Sequence, residues 1–234
     1  MQKQSRIELM DALRGLAVCL MVLHHFLYDL CEFLGAPWWL FTNPVFDFLH
    51  YVFAGLFVML CGVSSNFSRS NIRRGAKALV LALGITLVTY FMGMTIAFGV
   101  LHMLACCMLL YGLTRRFWEA LPTWVMPAVS ATGVLLTYPL VRGVRVDTPG
   151  LFMFGFCAPG FSSADYFPLL PWFFVFLFGA WAGKYIKAGR LPGWFYRAKA
   201  PHLAAVGRHA LAVYVLHQPV LYGLTLLIMK LMGR

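Results

Sequence analysis

Among the ionisable side chains in the first long apolar stretch of the sequence are Asp11, Arg14, His25 and Asp29. At 3.6 residues per helical turn these positions fall within one stripe of a helix, so the four groups share a face. A charge that faces lipid costs about 2.5–3.5 kcal/mol on insertion scales, so this face is expected to look into the protein. An ionisable stripe in a helix of membrane length is therefore a candidate functional site.

Two histidine–carboxylate pairs have the spacing of a general base and the group that orients it. His25 and Asp29 are four residues apart, near enough for the carboxylate to hold one imidazole N–H and leave the other nitrogen as a base. Asp47 and His50 form a similar pair, three residues apart. In that second pair the carboxylate could equally do no more than neutralise a histidine at the membrane interface.

Arg14 precedes His25 by eleven residues, close to three helical turns, which separates them by about 16 Å along one face. Guanidinium groups at the lower end could anchor a long, phosphate-headed cofactor whose arm extends to the histidine. The alternative for Arg14 is a salt bridge with Asp11, and both can hold. The candidate cofactor-binding residues are Arg14, Arg73, Arg74, Arg208 and His217.

The elements that must position these residues are membrane helices. Of the 234 residues 61% are hydrophobic and only 12% are charged, more apolar than a soluble core requires. We predict an all-α, polytopic helix bundle that forms a single integral membrane domain over residues 1–234. The first apolar run is too long and too charged for a cleavable signal peptide. About seven runs have transmembrane length: 9–33, 45–65, 75–95, 97–114, 121–141, 167–186 and 205–231.

The net charge is +11. The positions of the basic residues along the chain indicate membrane topology rather than a surface that binds nucleic acid. Most basic residues fall in alternate loops, and the positive-inside rule then places the N-terminus in the cytoplasm and the C-terminus outside. The cytoplasmic set comprises Lys3, Arg6, Arg69, Arg73, Arg74, Lys77, Arg115, Arg116, Lys184, Lys187, Arg190, Arg197 and Lys199; the outer set comprises Arg142, Arg145, Lys230 and Arg234.

Two features on the predicted outer side leave alternatives open. The six cysteines follow no metal-binding pattern and no metal is predicted, but Cys31 and Cys157 could form a disulfide. The long segment from Arg142 to Asp165 is either an acceptor-binding lid, with Asp165 and aromatic rings against a sugar, or a segment that packs on the bundle.

The two ends of the chain carry a family resemblance. The opening Arg6-Ile-Glu-Leu-Met-Asp11-Ala-Leu-Arg14-Gly15-Leu-Ala17, followed by His25, resembles the start of the type-3 membrane acyltransferases. Later segments resemble a bacterial family similar to the catalytic domain of heparan-α-glucosaminide N-acetyltransferase: Gly62-Val-Ser64, Phe98-Gly99-Val-Leu-His102, Tyr166-Phe167-Pro168-Leu-Leu-Pro171-Trp172 and Gly207-Arg208-His209-Ala-Leu-Ala-Val-Tyr214-Val-Leu-His217-Gln218-Pro219.

The resemblance implies acyl transfer in a bacterial cytoplasmic membrane. Acetyl-CoA would enter from the cytoplasm, and a histidine, as base or acyl carrier, would pass the acyl group to a sugar or other small-molecule acceptor outside. His25 occupies the place of the proposed catalytic histidine of the type-3 enzymes. The lysosomal enzyme has its histidine in the loop after the first helix, where this chain offers His50, so both remain candidates. The type-3 family's second motif, two arginines separated by two residues, is absent here; the nearest match is Arg69-x-x-x-Arg73.

The remaining predictions concern partners and competing functions. We expect acetyl-CoA or CoA, the acceptor and membrane lipid as partners, and no nucleic acid. A homodimer is a candidate assembly. The alternatives outside acyl transfer are a small proton-coupled transporter that uses the Asp and His stripe, and a haem-binding electron carrier. The sequence shows neither the inverted repeats typical of the first nor the spaced histidine pairs of the second.

Overall fold

The structure, a computed structural model, describes residues 6–233, and these form helices and connecting loops without a β-strand. The only β-like pairing within them is an isolated bridge between Phe98 and Tyr166. Two short 3-10 segments lie at Trp38–Leu40 and Leu151–Phe154. The α-helices are α1 (Glu8–Leu34), α2 (Pro44–Ser64), α3 (Asn71–Phe91), α4 (Val100–Ala120), α5 (Val125–Gly143), α6 (Leu169–Lys187), α7 (Gly193–Arg197), α8 (Pro201–Arg208) and α9 (Ala210–Leu231).

Seven helices in the described part of the chain, α1 to α6 and α9, are long and apolar enough to cross a membrane. The all-α, multi-pass architecture predicted from the sequence is therefore confirmed. Lys3 and Arg234, which contributed to the topology prediction, lie outside the described residues.

Several helix boundaries differ from the apolar runs because backbone and side-chain hydrogen bonds, not hydropathy alone, set a helix end. α3 begins at Asn71, where the Ser70 side chain accepts a hydrogen bond from the backbone N–H of Arg73. α4 continues to Ala120 through charged residues, and Arg115 Nε donates to Glu119 Oε1 over 2.7 Å. The last predicted run, 205–231, begins inside a separate helix, α8, and α9 starts only at Ala210.

The chain divides into two compact units, residues 1–57 with 191–234 and residues 58–190. In the first unit α1 packs chiefly against α8 and α9. Two glycines allow the α1–α8 approach, since a Cβ at Gly15 would overlap the Leu203 carbonyl oxygen and one at Gly207 would overlap that of Asp11. The first unit contains most of the predicted site residues. The single domain over residues 1–234 stays a prediction.

In the second unit α3 packs on α4, and α6 packs on α5 and α4. The last turns of α2 meet α6 through glycines on both helices. A Cβ at Gly62 would overlap the Phe176 carbonyl oxygen, one at Gly179 would overlap that of Met59, and one at Gly183 would lie 2.7 Å from that of Val63. The Gly179-x-x-x-Gly183 motif is therefore a close-packing face, a common device between membrane helices.

Candidate active site

Six polar side chains from three helices of the first unit form what we call the histidine cluster: His24, His25, Asp29, His50, His217 and Gln218. The imidazole ring centroids of His24 and His50 are 4.4 Å apart, those of His25 and His217 are 4.9 Å apart, and those of His24 and His25 are 5.9 Å apart. Residues distant in the sequence on α1, α2 and α9 thus converge on one polar region within apolar helices.

Asp29 is the most enclosed member of the cluster, with 0% of its surface exposed. Gln218 Nε2 on α9 donates to both carboxylate oxygens, over 3.0 and 3.3 Å. The sequence assigned Asp29 to orient His25 on the same helix, whereas the hydrogen bonds that the structure gives Asp29 come from Gln218.

His25 and His217 face each other across the α1–α9 contact. His217 Nδ1 donates to the Tyr214 carbonyl oxygen over 2.6 Å. This hydrogen bond lies next to Pro219, which has no N–H to continue the backbone ladder of α9. The ring of His217 is thereby held against His25. The sequence assigned His217 to the cofactor; the geometry puts it beside the candidate catalytic histidine.

The two catalytic candidates belong to one cluster. His50 lies on α2 with its ring against that of His24, which is next to His25 in the chain. Asp47 is exposed, one turn before His50 on α2. The sequence left His24 without a role, because adjacent helical residues point about 100° apart and the spacing analysis followed the stripe of His25.

At the other end of α1, a buried carboxylate lies between two arginines. Asp11 Oδ1 accepts hydrogen bonds from Arg14 Nη1 over 2.9 Å and from Arg6 Nη2 over 3.2 Å, and Arg6 Nε donates to Asp11 Oδ2. The salt bridge that the sequence offered as the alternative for Arg14 is therefore formed. Arg208, at the end of α8, is exposed.

Two predicted phosphate ligands belong to the second unit. Arg73 and Arg74 lie in the first turn of α3, directly after the Ser70 cap. The Arg73 side chain is exposed, and Arg74 Nη1 donates to the Ser64 carbonyl oxygen over 3.4 Å.

The segment 142–165 of the second unit, where a sugar site was suggested, has structural hydrogen bonds instead. Asp165 Oδ2 accepts the Val100 N–H over 3.1 Å and so caps the N-terminus of α4. Tyr166 donates to the Phe152 carbonyl oxygen over 2.6 Å and accepts from the Cys157 thiol over 3.1 Å. Burial, with the Cys157 hydrogen bond, raises the pKa of Tyr166. These contacts favour a segment that packs on its own unit over a lid.

His102, another histidine of the second unit, has two identifiable partners. Its Nδ1 accepts the Gly99 N–H over 3.2 Å. The proton therefore lies on Nε2, which donates to Thr86 Oγ1 over 3.0 Å. His102 thus acts as a structural cap at the start of α4.

Within the described residues there is no disulfide and no group of side chains arranged to hold a metal ion. All six cysteines are free thiols, so Cys31 and Cys157 are not joined as the sequence allowed. No group of three or more His, Cys, Asp or Glu side chains within residues 6–233 has an arrangement that could hold a metal ion.

Comparison with known proteins identifies the family. The family model described as heparan-alpha-glucosaminide N-acetyltransferase, catalytic, matches residues 6–219. The chain belongs to this family. The match begins at Arg6, which contacts Asp11, and ends at Pro219, directly after His217 and Gln218, so it contains the whole histidine cluster. No curated protein and no solved structure matches the chain.

Family membership confirms the resemblance predicted from the sequence. It implies a membrane enzyme of the acyltransferase type in general. The histidine cluster is the only convergence of several histidines in the described part of the first unit, and it supplies groups that acyl transfer requires.

Proposed function

We propose that this protein transfers an acetyl or other acyl group from the CoA thioester to a hydroxyl or amine acceptor, a sugar of the cell envelope or its surroundings. Family membership supports the reaction class. The observation that carries the proposal for the site is the contact of the His25 and His217 rings, 4.9 Å apart, beside the buried carboxylate of Asp29.

His25 is the proposed catalytic residue, as general base or as carrier of the acyl group. A neutral imidazole can take a proton from an acceptor or attack a thioester carbonyl, and buried ionisable groups in a membrane helix are seldom retained without use. Asp29, Asp47 and His50 complete the proposed catalytic set. Asp29 acts in it through Gln218, its hydrogen-bond partner.

The proposed CoA ligands are the basic residues predicted from the sequence: Arg14, Arg73, Arg74 and Arg208. Guanidinium groups bind phosphates through charge-assisted hydrogen bonds. Arg14 already donates to Asp11. A guanidinium has five N–H donors, so Arg14 can serve Asp11 and a phosphate together.

We propose the bacterial cytoplasmic membrane as the location, with the N-terminus inside and the C-terminus outside. Basic residues concentrated in alternate loops support this orientation. Reporter fusions at the two ends test it: activity of a cytoplasmic reporter at the C-terminus would contradict the proposed topology.

Acetyl-CoA binding and turnover test the function. Calorimetry on detergent-purified protein should give binding that weakens in Arg14→Ala and persists in His25→Ala. Turnover in His25→Ala should fall by about 10²-fold or more, the usual contribution of general acid–base catalysis. His202→Ala is the matched control, because His202 is exposed on α8 and lies outside the cluster.

Two results would contradict the proposal. Turnover by His25→Ala at the wild-type rate would remove His25 from the reaction. If the wild-type protein does not bind acetyl-CoA, and reconstituted vesicles show substrate flux without an acyl donor, the proton-coupled transporter becomes the better interpretation.

A further inference from the structure

The hydrogen bond of His217 determines which of its ring nitrogens carries the proton. Nδ1 lies 2.6 Å from the Tyr214 carbonyl oxygen. A carbonyl oxygen can only accept, so Nδ1 is the donor, and in the neutral ring the lone pair lies on Nε2. Nε2 is buried and has no hydrogen-bond partner among residues 6–233. The tautomer of His217 is therefore fixed by the hydrogen bond from Nδ1, and Nε2 is a buried proton acceptor.

The orientation of the Gln218 amide follows from the same reasoning. Its Nε2 lies 3.0 and 3.3 Å from the two oxygens of Asp29, which as a carboxylate can only accept. The amide oxygen, Oε1, consequently points away from Asp29. It too is buried without a partner in the described part of the chain.

His217 Nε2 and Gln218 Oε1, on consecutive residues of α9, are two of the buried polar atoms that lack a hydrogen-bond partner in the described part of the chain. Buried polar atoms are nearly always hydrogen-bonded, and one left unpaired costs about 1–3 kcal/mol. His217 Nε2 and Gln218 Oε1 cannot satisfy each other, because each needs a hydrogen. Only a third group that carries an O–H or N–H can pair them.

We propose that His217 Nε2 accepts the nucleophilic O–H or N–H of the acceptor substrate and that Gln218 Oε1, on the next residue, accepts a second O–H or N–H where the substrate has one; we call these two acceptors the acceptor seat. This inference rests on the proposed function and assigns His217 to the acceptor rather than to CoA. In this refinement His217 takes the general-base role that the proposed function gives to His25, and the His25 ring, 4.9 Å away, packs against His217 and positions it.

In the reaction at this seat, the acceptor oxygen or nitrogen attacks the thioester carbonyl carbon while His217 Nε2 takes its proton. The new C–O or C–N bond forms, the C–S bond breaks, and the proton passes from His217 to the departing CoA sulfur. The products are the acylated acceptor and CoA thiol, and His217 returns to its neutral form. Gln218 Oε1 accepts a second O–H or N–H where the substrate has one, and Gln218 Nε2 keeps Asp29 paired.

Steady-state kinetics separate the acceptor seat from a CoA-binding role. Benzylamine and benzyl alcohol serve as probe acceptors, with acetyl-CoA as donor. In His217→Gln, kcat should fall by about 10²-fold or more, while the KM for acetyl-CoA stays at the wild-type value. Gln218→Leu should raise the KM for the probe. Thr225→Val is the control on the same helix, because the Thr225 hydroxyl donates only to the Leu221 carbonyl oxygen of α9.

Nitrogen-15 NMR of the histidine side chains tests the seat without turnover. The unprotonated Nε2 signal of His217, assigned by its loss in His217→Gln, should shift when a probe is added, and Gln218→Leu should weaken that shift. The relative effect of the amine and the alcohol reports which donor the seat prefers.

The outcomes distinguish the two proposals. A shift of the His217 signal on addition of a probe, in a protein that does not bind acetyl-CoA, would refute the proposed function and leave the acceptor seat standing. A raised KM for acetyl-CoA in His217→Gln, with acceptor kinetics unchanged, would overturn the acceptor seat and return His217 to the CoA site. Absence of any shift with either probe would overturn it as well.

Discussion

Replacing Gly207 by alanine should destabilise the first unit, because α8 has no room for a methyl group against α1. A Cβ at position 207 would overlap the Asp11 carbonyl oxygen and lie 2.8 Å from both the Asp11 carbonyl carbon and the Gly15 nitrogen. Ordinary contacts of a Cβ begin at 3.4 Å. Since all three obstacles are helix backbone, α8 must move by more than about half an ångström instead of a side chain rotating away.

The expected cost follows from known effects of overpacking, about 1–3 kcal/mol. For a chain of this size each kcal/mol corresponds to about 2–4 °C in Tm. Gly223→Ala is the matched control, because a Cβ at Gly223 on α9 meets nothing within 4 Å. There alanine should stabilise the helix by about 0.5–1 kcal/mol.

The assay is thermal unfolding of the detergent-purified variants, followed by tryptophan fluorescence, with turnover measured alongside. Gly207→Ala should unfold at least about 3 °C below Gly223→Ala. It should also lose turnover, because α8 leads directly into α9, which carries His217 and Gln218. Equal Tm values for the two variants would refute the close α1–α8 packing on which this reasoning rests.

Three further predictions address charged and titrating groups. Asp165→Ala should cost about 1 kcal/mol in thermal unfolding through loss of the α4 cap, whereas Asp165→Asn, which keeps an acceptor oxygen, should cost less. Burial raises the pKa of the Tyr166 phenol in the folded protein. As pH rises above about 10, the unfolded chain therefore loses the phenol proton first, and the folded state becomes less stable relative to it. In a series of Tm measurements at increasing pH, Tm should decline less steeply for Tyr166→Phe than for the wild type. Asp11→Asn should lower the free energy of unfolding by about 1–3 kcal/mol. If Arg14 also binds a phosphate of CoA, calorimetry on this variant should show undiminished affinity for acetyl-CoA. A weaker affinity would contradict the phosphate-binding role of Arg14.

Local spacing correctly predicted some contacts between residues of one helix, but not all of them. The Asp11–Arg14 salt bridge follows from a three-residue separation, which brings side chains together on any helix. The close-packing role of Gly179 and Gly183 follows similarly from their four-residue spacing and the absence of side chains. The same logic was incomplete for Asp29, because a neighbour at helical spacing competes with partners from other helices.

The histidine cluster shows what helical periodicity leaves out. Asp29 and Gln218 are 189 positions apart in the chain, and nothing in the pattern of either helix identifies the other as its neighbour. His24 was left aside because it lies off the stripe of His25, yet its ring meets His50 from α2. Periodicity indicates which face of a helix is polar but not which helix that face meets.

The sequence by itself determined the class of the protein. In lipid every backbone N–H and C=O must be paired within the chain, so long apolar runs become helices whatever their neighbours are. It also determined the family, since the motifs at both ends are linear. Only the tertiary structure decided which polar groups meet, which nitrogen of His217 is left as an acceptor, and that Gln218 rather than His25 pairs with Asp29. Those features depend on how helices from opposite ends of the chain pack together, and packing is a property of three-dimensional contacts that no single helix encodes.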